Sequence, residues 1–298
     1  MPEPSRRGRR VRAVGAVAVA GTVLLGAAAC DDPTGAAAKP SASATTATGW
    51  NTAPDSVAAV GDSITRGFDA CTVLADCPKV SWSTGSDPTV DSLAVRLLGE
   101  NAAANSWNYA ATGARMADLT AQMRKAAARE PELVTVMAGA NDACRSTTAA
   151  MTSVADFRAD FEQALTTLRK ASPKSQVYVA SVPNLKRLWS QGRTSELGRQ
   201  VWKLGICPSM LGDAESLSAA ANLRRETVQA RVEAYNKVLK DVCATDRLCR
   251  FDGDAVFDYR FTTTQLSQWD WFHPSTDGQA RLAEIAYRNV TAKKPVTS

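Results

Sequence analysis

The chain has 298 residues, 45% of them hydrophobic and 22% charged, with a formal net charge of +5. The basic excess sits at the start: residues 1–29 hold five Arg and one Glu, and without them 30 basic residues face 29 acidic ones. A near-neutral remainder excludes the basic surface that nucleic-acid binding requires, so no nucleic acid is expected as a partner.

Arg6, Arg7, Arg9, Arg10 and Arg12 precede an uncharged run of Ala, Val, Leu and Gly over residues 13–29. A positive stretch followed by an apolar run this short is an export signal rather than a membrane-spanning helix. The doublet Arg9-Arg10 leaves the twin-arginine and general routes both open. Cys30 follows at once, ahead of Asp31 and Asp32. A small-residue run ending in Cys resembles a bacterial lipobox, whose Cys is lipidated after cleavage; a plain secretory peptide cut nearby is the alternative. On the first reading residues 1–29 are a signal peptide and Cys30 is a lipid anchor to a membrane. Residues 30–55, rich in Ala, Ser, Thr and Pro, are then a flexible linker. The protein is expected at the extracellular face of the membrane, or secreted.

Residues 56–292 are one domain's length, with a tail at 293–298. Apolar runs at 56–60, 106–109, 133–137, 177–182 and 248–251 read as strands. The segments 92–98, 116–128, 154–170, 221–242 and 276–288 read as helices, with Phe157, Phe161, Leu165 and Leu168 at three- and four-residue spacing. Strand alternating with helix predicts an α/β fold with a parallel five-stranded sheet covered on both faces. Ligands in such sheets bind beyond the carboxyl ends of the strands.

Those ends carry four short motifs in chain order. Gly61-Asp62-Ser63 follows the first strand. Asn108-Tyr109-Ala110-Ala111-Thr112-Gly113 closes the second. Gly139-Ala140-Asn141-Asp142 follows the third. Asp270-Trp271-Phe272-His273-Pro274 precedes the last helix, and His273 is the only histidine in the chain. Acyl transfer needs a nucleophile, a base, a group that orients the base, and donors for the developing oxyanion. Ser63 is the candidate nucleophile, His273 the base and Asp270 its orienting acid. Pro274 keeps His273 out of the following helix. The backbone N–H groups of Ser63 and Gly113 and the side-chain amide of Asn141 are the candidate oxyanion hole. A side chain at position 113 would crowd an approaching tetrahedral carbon.

The four motifs resemble the signature blocks of the SGNH hydrolases, also called GDSL esterases and lipases. The resemblance implies a three-layer α/β/α sandwich, flavodoxin-like in its sheet, and a monomeric ester hydrolase. Esterases, lipases, carbohydrate deacetylases and acyltransferases share that fold. It implies the four name-giving roles for Ser63, Gly113, Asn141 and His273 and the acid role for Asp270. The first block reads Gly-Asp-Ser-Ile-Thr here, without the usual Leu. A small-molecule or lipid ester is the expected substrate, hydrolysed through an acyl-enzyme. A carbohydrate O-deacetylase or acyltransferase is the alternative, as is a surface lipoprotein that binds acyl chains or glycans without turnover.

Seven cysteines are an odd number. With Cys30 set aside six remain, which allow fifteen pairings. Cys71 with Cys77, and Cys243 with Cys249, close the shortest loops, and Cys144 with Cys207 follows by elimination; such bonds persist outside the cytoplasm. With no C-x-x-C and one His, no metal or cofactor is expected. Asp252, Asp254 and Asp258 lack the glycine of a calcium loop. Residues 183–220 break the alternation and mix Trp189, Trp202, Leu204, Ile206, Met210 and Leu211 with Lys and Arg. They are either a structural excursion or a wall over the site, tied by Cys144–Cys207 to the Asn141 loop.

Overall fold

The computed structural model describes residues 49–295. The signal peptide, Cys30 and its lipidation, the linker up to residue 48 and the end of the tail lie outside the described residues.

Five strands, β1 (Val57–Gly61), β2 (Ser106–Asn108), β3 (Leu133–Met137), β4 (Gln176–Val179) and β5 (Cys249–Phe251), form one sheet. Its order is β2-β1-β3-β4-β5 and every pairing is parallel. All residues of β1, β3 and β4 are buried. A parallel strand buried along its whole length has both faces covered, which is why these runs read as continuous Val, Leu and Ala rather than as alternation. Helices α1 (Leu93–Leu98), α2 (Leu119–Ala127), α3 (Val154–Ala171), α4 (Leu185–Gly192), α5 (Glu196–Trp202), α6 (Ala219–Cys243) and α7 (Thr276–Thr291) supply the cover. Helix α1 packs with α7, while α2, α3 and α6 pack in a row. In that row Phe157 of α3 stacks on Tyr235 of α6, ring centroids 4.0 Å apart. The expected α/β fold with a parallel five-stranded sheet and helices around it is the observed one.

Three start signals in the sequence set helix boundaries. Ser153 accepts from Asp156 N, Ser218 from Ala221 N and Ser275 from Gly278 N, each an N-cap that satisfies an otherwise orphaned amide. Residues 183–220 are helical for much of their length. Asn184 caps α4 and Ser195 caps α5.

Residues 50–55 were part of the composition-based linker, yet they are bound to the domain. Trp50 Nε1 donates to Val290 O at 2.8 Å and its ring lies under the Arg250 guanidinium at 4.2 Å. Asn51 N and Asp55 N donate to Gln176 and Glu132 side chains. Single anchoring residues of this kind do not alter a composition average. Among the described residues no helix is long and apolar enough to cross a membrane.

The order places the reversal of strand succession between β1 and β3, where open sheets of this type form a crevice. Gly61 pairs with Met137 across it. The turns that follow β1 and β3 therefore leave the sheet side by side.

Candidate active site

Gly61 ends β1 at φ +149, and a Cβ there would lie 2.2 Å from Met137 O. Only glycine lets the chain turn against β3 at this point. Gln122 of α2 fixes the turn, accepting from Gly61 N at 2.7 Å and donating to Gly61 O at 3.0 Å. Asp62 Oδ1 accepts from Ile64 N at 3.0 Å, which tightens the next step and turns Ser63 outward from the sheet end.

The loop before α7 meets that turn. Ser63 Oγ lies 2.8 Å from His273 Nε2, and His273 Nδ1 lies 2.5 Å from Asp270 Oδ2. An ionised carboxylate only accepts, so Nδ1 carries the proton and donates to Asp270, and Nε2 accepts from the Ser63 hydroxyl. Asp270 Oδ1 accepts from the backbone N–H of Phe272 and of His273, both at 2.9 Å, which locks the carboxylate beneath the ring. The loop is pinned by Ser267 N donating to His273 O at 2.7 Å and by an antiparallel bridge between Leu266 and Pro274. Trp271 sits at φ +51, an uncommon conformation for a bulky residue and a sign of local strain between acid and base.

Gly113 lies in the turn after β2 at φ +81, with open space where a side chain would project. The positive φ and the open side both favour glycine. Asn141 follows β3 and donates from Nδ2 to Ala114 O at 3.0 Å, which brings it against the Gly113 turn and leaves its second amide hydrogen unused. Among the described residues, neither Ser63 N nor Gly113 N finds an acceptor. Asp142 anchors this loop from within, accepting from Met116 N at 2.9 Å and Thr152 Oγ1 at 2.8 Å. Three N–H groups, of Ser63, Gly113 and the Asn141 side chain, thus remain unspent in the turns that follow β1, β2 and β3.

Three carboxyls set the electrostatics. Burial opposes charge on His273, but the hydrogen bond and charge of Asp270, with Asp62 and Asp69 behind, raise its pKa above the ordinary imidazole value. Burial also opposes ionisation of Asp270, yet the His273 ring and two backbone N–H groups hold it below the usual carboxylate range. Asp62 is fully buried and has an unpartnered Oδ2; burial pushes it up to about 7, against the Ile64 N–H and His273. The three groups close enough to suggest a metal, Asp69, Asp270 and His273, have ligand atoms within 4.8 Å of one another. Both His273 nitrogens are already engaged, Nδ1 with Asp270 and Nε2 with Ser63.

Ser63, His273 and Asp270 come together in one hydrogen-bonded chain, Asn141 is bonded to the turn that holds Gly113, and several residues that sequence reasoning missed support them. Gln279 of α7 donates to Ile64 O at 2.8 Å and accepts from Trp82 N at 2.9 Å. Trp202 of α5 donates to Asp270 O at 2.8 Å. Disulfides join Cys71–Cys77, Cys144–Cys207 and Cys243–Cys249, the three pairs named from spacing and elimination. Cys144–Cys207 ties the 183–220 segment three residues beyond Asn141, and Ser209 Oγ adds a 2.7 Å bond to Ala143 O. A cleft of about 550 Å³ lies at the opposite, amino ends of β3 and β4, lined by Glu132, Lys174 and Gln176, far from this chemistry.

A family model described as GDSL-like lipase/acylhydrolase matches residues 57–286. An acetylxylan esterase from Geobacillus stearothermophilus, solved as a catalytic mutant, is 16% identical; the match covers 84% of this chain and 99% of that one, with a TM-score of 0.50. A phospholipase A1 from Streptomyces albidoflavus is 18% identical over 80% of this chain and 100% of its own, with a TM-score of 0.48. An extracellular lipase from Streptomyces rimosus is 17% identical over 80% and 99%, with a TM-score of 0.42. At these identities the likeness is one of fold. No curated protein matches the sequence.

Proposed function

The chain belongs to the GDSL-like lipase/acylhydrolase family and hydrolyses ester bonds, and from that premise we propose that it is an exported serine esterase working through a covalent acyl-enzyme. The observation that carries the reading is the unbroken chain Ser63–His273–Asp270, and the unused N–H donors of Ser63, Gly113 and Asn141 support it. Ser63 Oγ adds to the ester carbonyl carbon while its proton passes to His273 Nε2. The carbonyl oxygen becomes an oxyanion held by Ser63 N, Gly113 N and Asn141 Nδ2. The tetrahedral carbon then expels the alkoxide, which takes the proton from Nε2 and leaves as alcohol. Water, deprotonated by the same imidazole, cleaves the acyl-enzyme and restores Ser63. Asp270 keeps the tautomer fixed and stabilises the imidazolium.

An acyl ester of lipid type is the substrate favoured first. Val73, Leu74 and Trp269 are exposed, Leu74 at 78%. Leu74 N donates to Asp69, whose backbone carbonyl accepts from Ser267 Oγ, which in turn accepts from Trp269 N. An apolar rim thus stands next to the His273 loop, where a long chain can lie. A second reading, removal of acetyl groups from a carbohydrate, has its own support. A small apolar hollow of about 10 Å³ is lined by Ile64, Ala140, Leu188, Phe272 and Pro274, the chain neighbours of the reacting residues among them. It holds about one water-sized group, which suits a methyl and not a long chain.

Rates on p-nitrophenyl esters of increasing chain length, set beside acetylated xylan, separate the two. A maximum at long chains supports the first; a maximum at acetyl with release of acetate from xylan supports the second. No hydrolysis of any ester by the intact protein contradicts both. Three disulfides and the N-terminal export signal support an oxidising location, with Cys30 as lipid anchor and a monomer as the working unit.

A further inference from the structure

Asp69 stands behind the acid–base pair and has no part in the mechanism above. It is buried, 2% exposed, and sits at φ +55, a left-handed conformation. Three bonds hold it there. Asp69 N donates to Ala75 O at 3.1 Å, its carboxyl accepts from Leu74 N, and its backbone carbonyl accepts from Ser267 Oγ at 2.6 Å. Cys71–Cys77 closes this loop two residues further on. Ser267 is the residue whose N–H holds His273 O, so the disulfide loop and the His273 loop are bound to each other at Asp69. Polar side-chain atoms of Asp69, Asp270 and His273 consequently lie within 4.8 Å of one another. Among the described residues none of these carboxyls is paired with a Lys or Arg; Asp270 pairs only with His273.

We propose that Asp69 is a positioning residue for the reaction, a second carboxyl that acts on His273 through Asp270 and through space. Two buried carboxylates repel, and one imidazolium compensates only one of them. The three groups therefore titrate as a unit. Burial and the Asp270 charge push Asp69 up to about 6, against the Leu74 N–H and His273. The carboxyls that face His273 are Asp270 on its own loop, Asp62 in the turn after β1 and Asp69 on the disulfide loop. Each negative charge there favours the imidazolium. Removing the charge at 69 lowers the proton affinity of His273, so the neutral base appears at lower pH.

The proposal rests on His273 as the base, but its test does not. The chain has one histidine, so in tag-free protein the imidazole ¹H–¹⁵N signals belong to His273. Asp69→Asn keeps an acceptor for Leu74 N and nearly the same volume. The expected result is a downward shift of the His273 titration midpoint in Asp69→Asn, with the acid limb of kcat/KM moving the same way. Superimposable titrations overturn the proposal, even when turnover falls, because a mere loop strut alters activity without moving the midpoint. Should Asp69→Asn not fold, the wild-type titration decides. The proposal requires a second, smaller inflection near pH 6 as Asp69 ionises, and a single one-proton curve overturns it. The titration stays readable even if Ser63 is not the nucleophile.

Discussion

Trp202 donates its indole N–H to the backbone carbonyl of Asp270 at 2.8 Å, joining the 183–220 segment to the loop that carries both acid and base. Five residues further along the same segment, Cys207 is bonded to Cys144 of the Asn141 loop. One stretch of chain therefore braces both halves of the site. Trp202→Phe keeps most of the packing and removes the donor. A buried hydrogen bond of this kind contributes about 1 kcal/mol, so kcat is expected to drop about fivefold with KM little changed. Steady-state kinetics beside a thermal melt check this; a variant that loses stability but keeps full kcat refutes the brace.

The disulfide gives a separate expectation. Cys144 and Cys207 are 63 residues apart. Closing a loop of that length stabilises by about 4 kcal/mol in the chain-entropy account. The Cys144→Ser/Cys207→Ser double variant should lose a comparable amount in denaturant unfolding. At temperatures where it is still folded, its turnover should be lower than that of the parent.

Asn141 offers the side-chain donor of the oxyanion set. Asn141→Ala is expected to lower kcat by about 10²–10³, near 3 kcal/mol, with KM almost unchanged, because the bond forms only as charge develops. A loss confined to KM would place Asn141 in substrate binding instead.

The pH dependence follows from the sign of the His273 shift. His273 must be neutral to accept the Ser63 proton. Its pKa is raised, so the neutral form is lost already as pH falls through a value above the ordinary 6.5. The rate kcat/KM should therefore rise with pH to a plateau, with a midpoint above about 6.5. A flat profile between pH 5 and 9 contradicts the assignment of the base.

Much of this was legible in the chain because the sheet converts sequence order into spatial order. Each site residue lies in a turn or loop after a strand or before a helix, and parallel strands send the loops after them to one end of the sheet. The supporting residues were not legible in the same way. Gln122 reads as one more polar residue on a helix, and nothing local says that it clasps Gly61 across 61 positions. Trp202 looks like any aromatic of an amphipathic segment, since its partner is a backbone carbonyl 68 residues away. Asp69 reads as a turn residue, and its burial depends on a disulfide and a serine from the far end of the chain. Strand ends also shifted: the apolar run at 177–182 stops pairing at Val179, because Ser181 N turns to the Asp252 carboxylate.

The most direct test of the central claim is covalent labelling with a fluorophosphonate, followed by peptide mass spectrometry. The account predicts a single adduct on Ser63, slowed severely in His273→Ala although that variant stays folded. An adduct on another serine, or none on active wild-type protein, contradicts it.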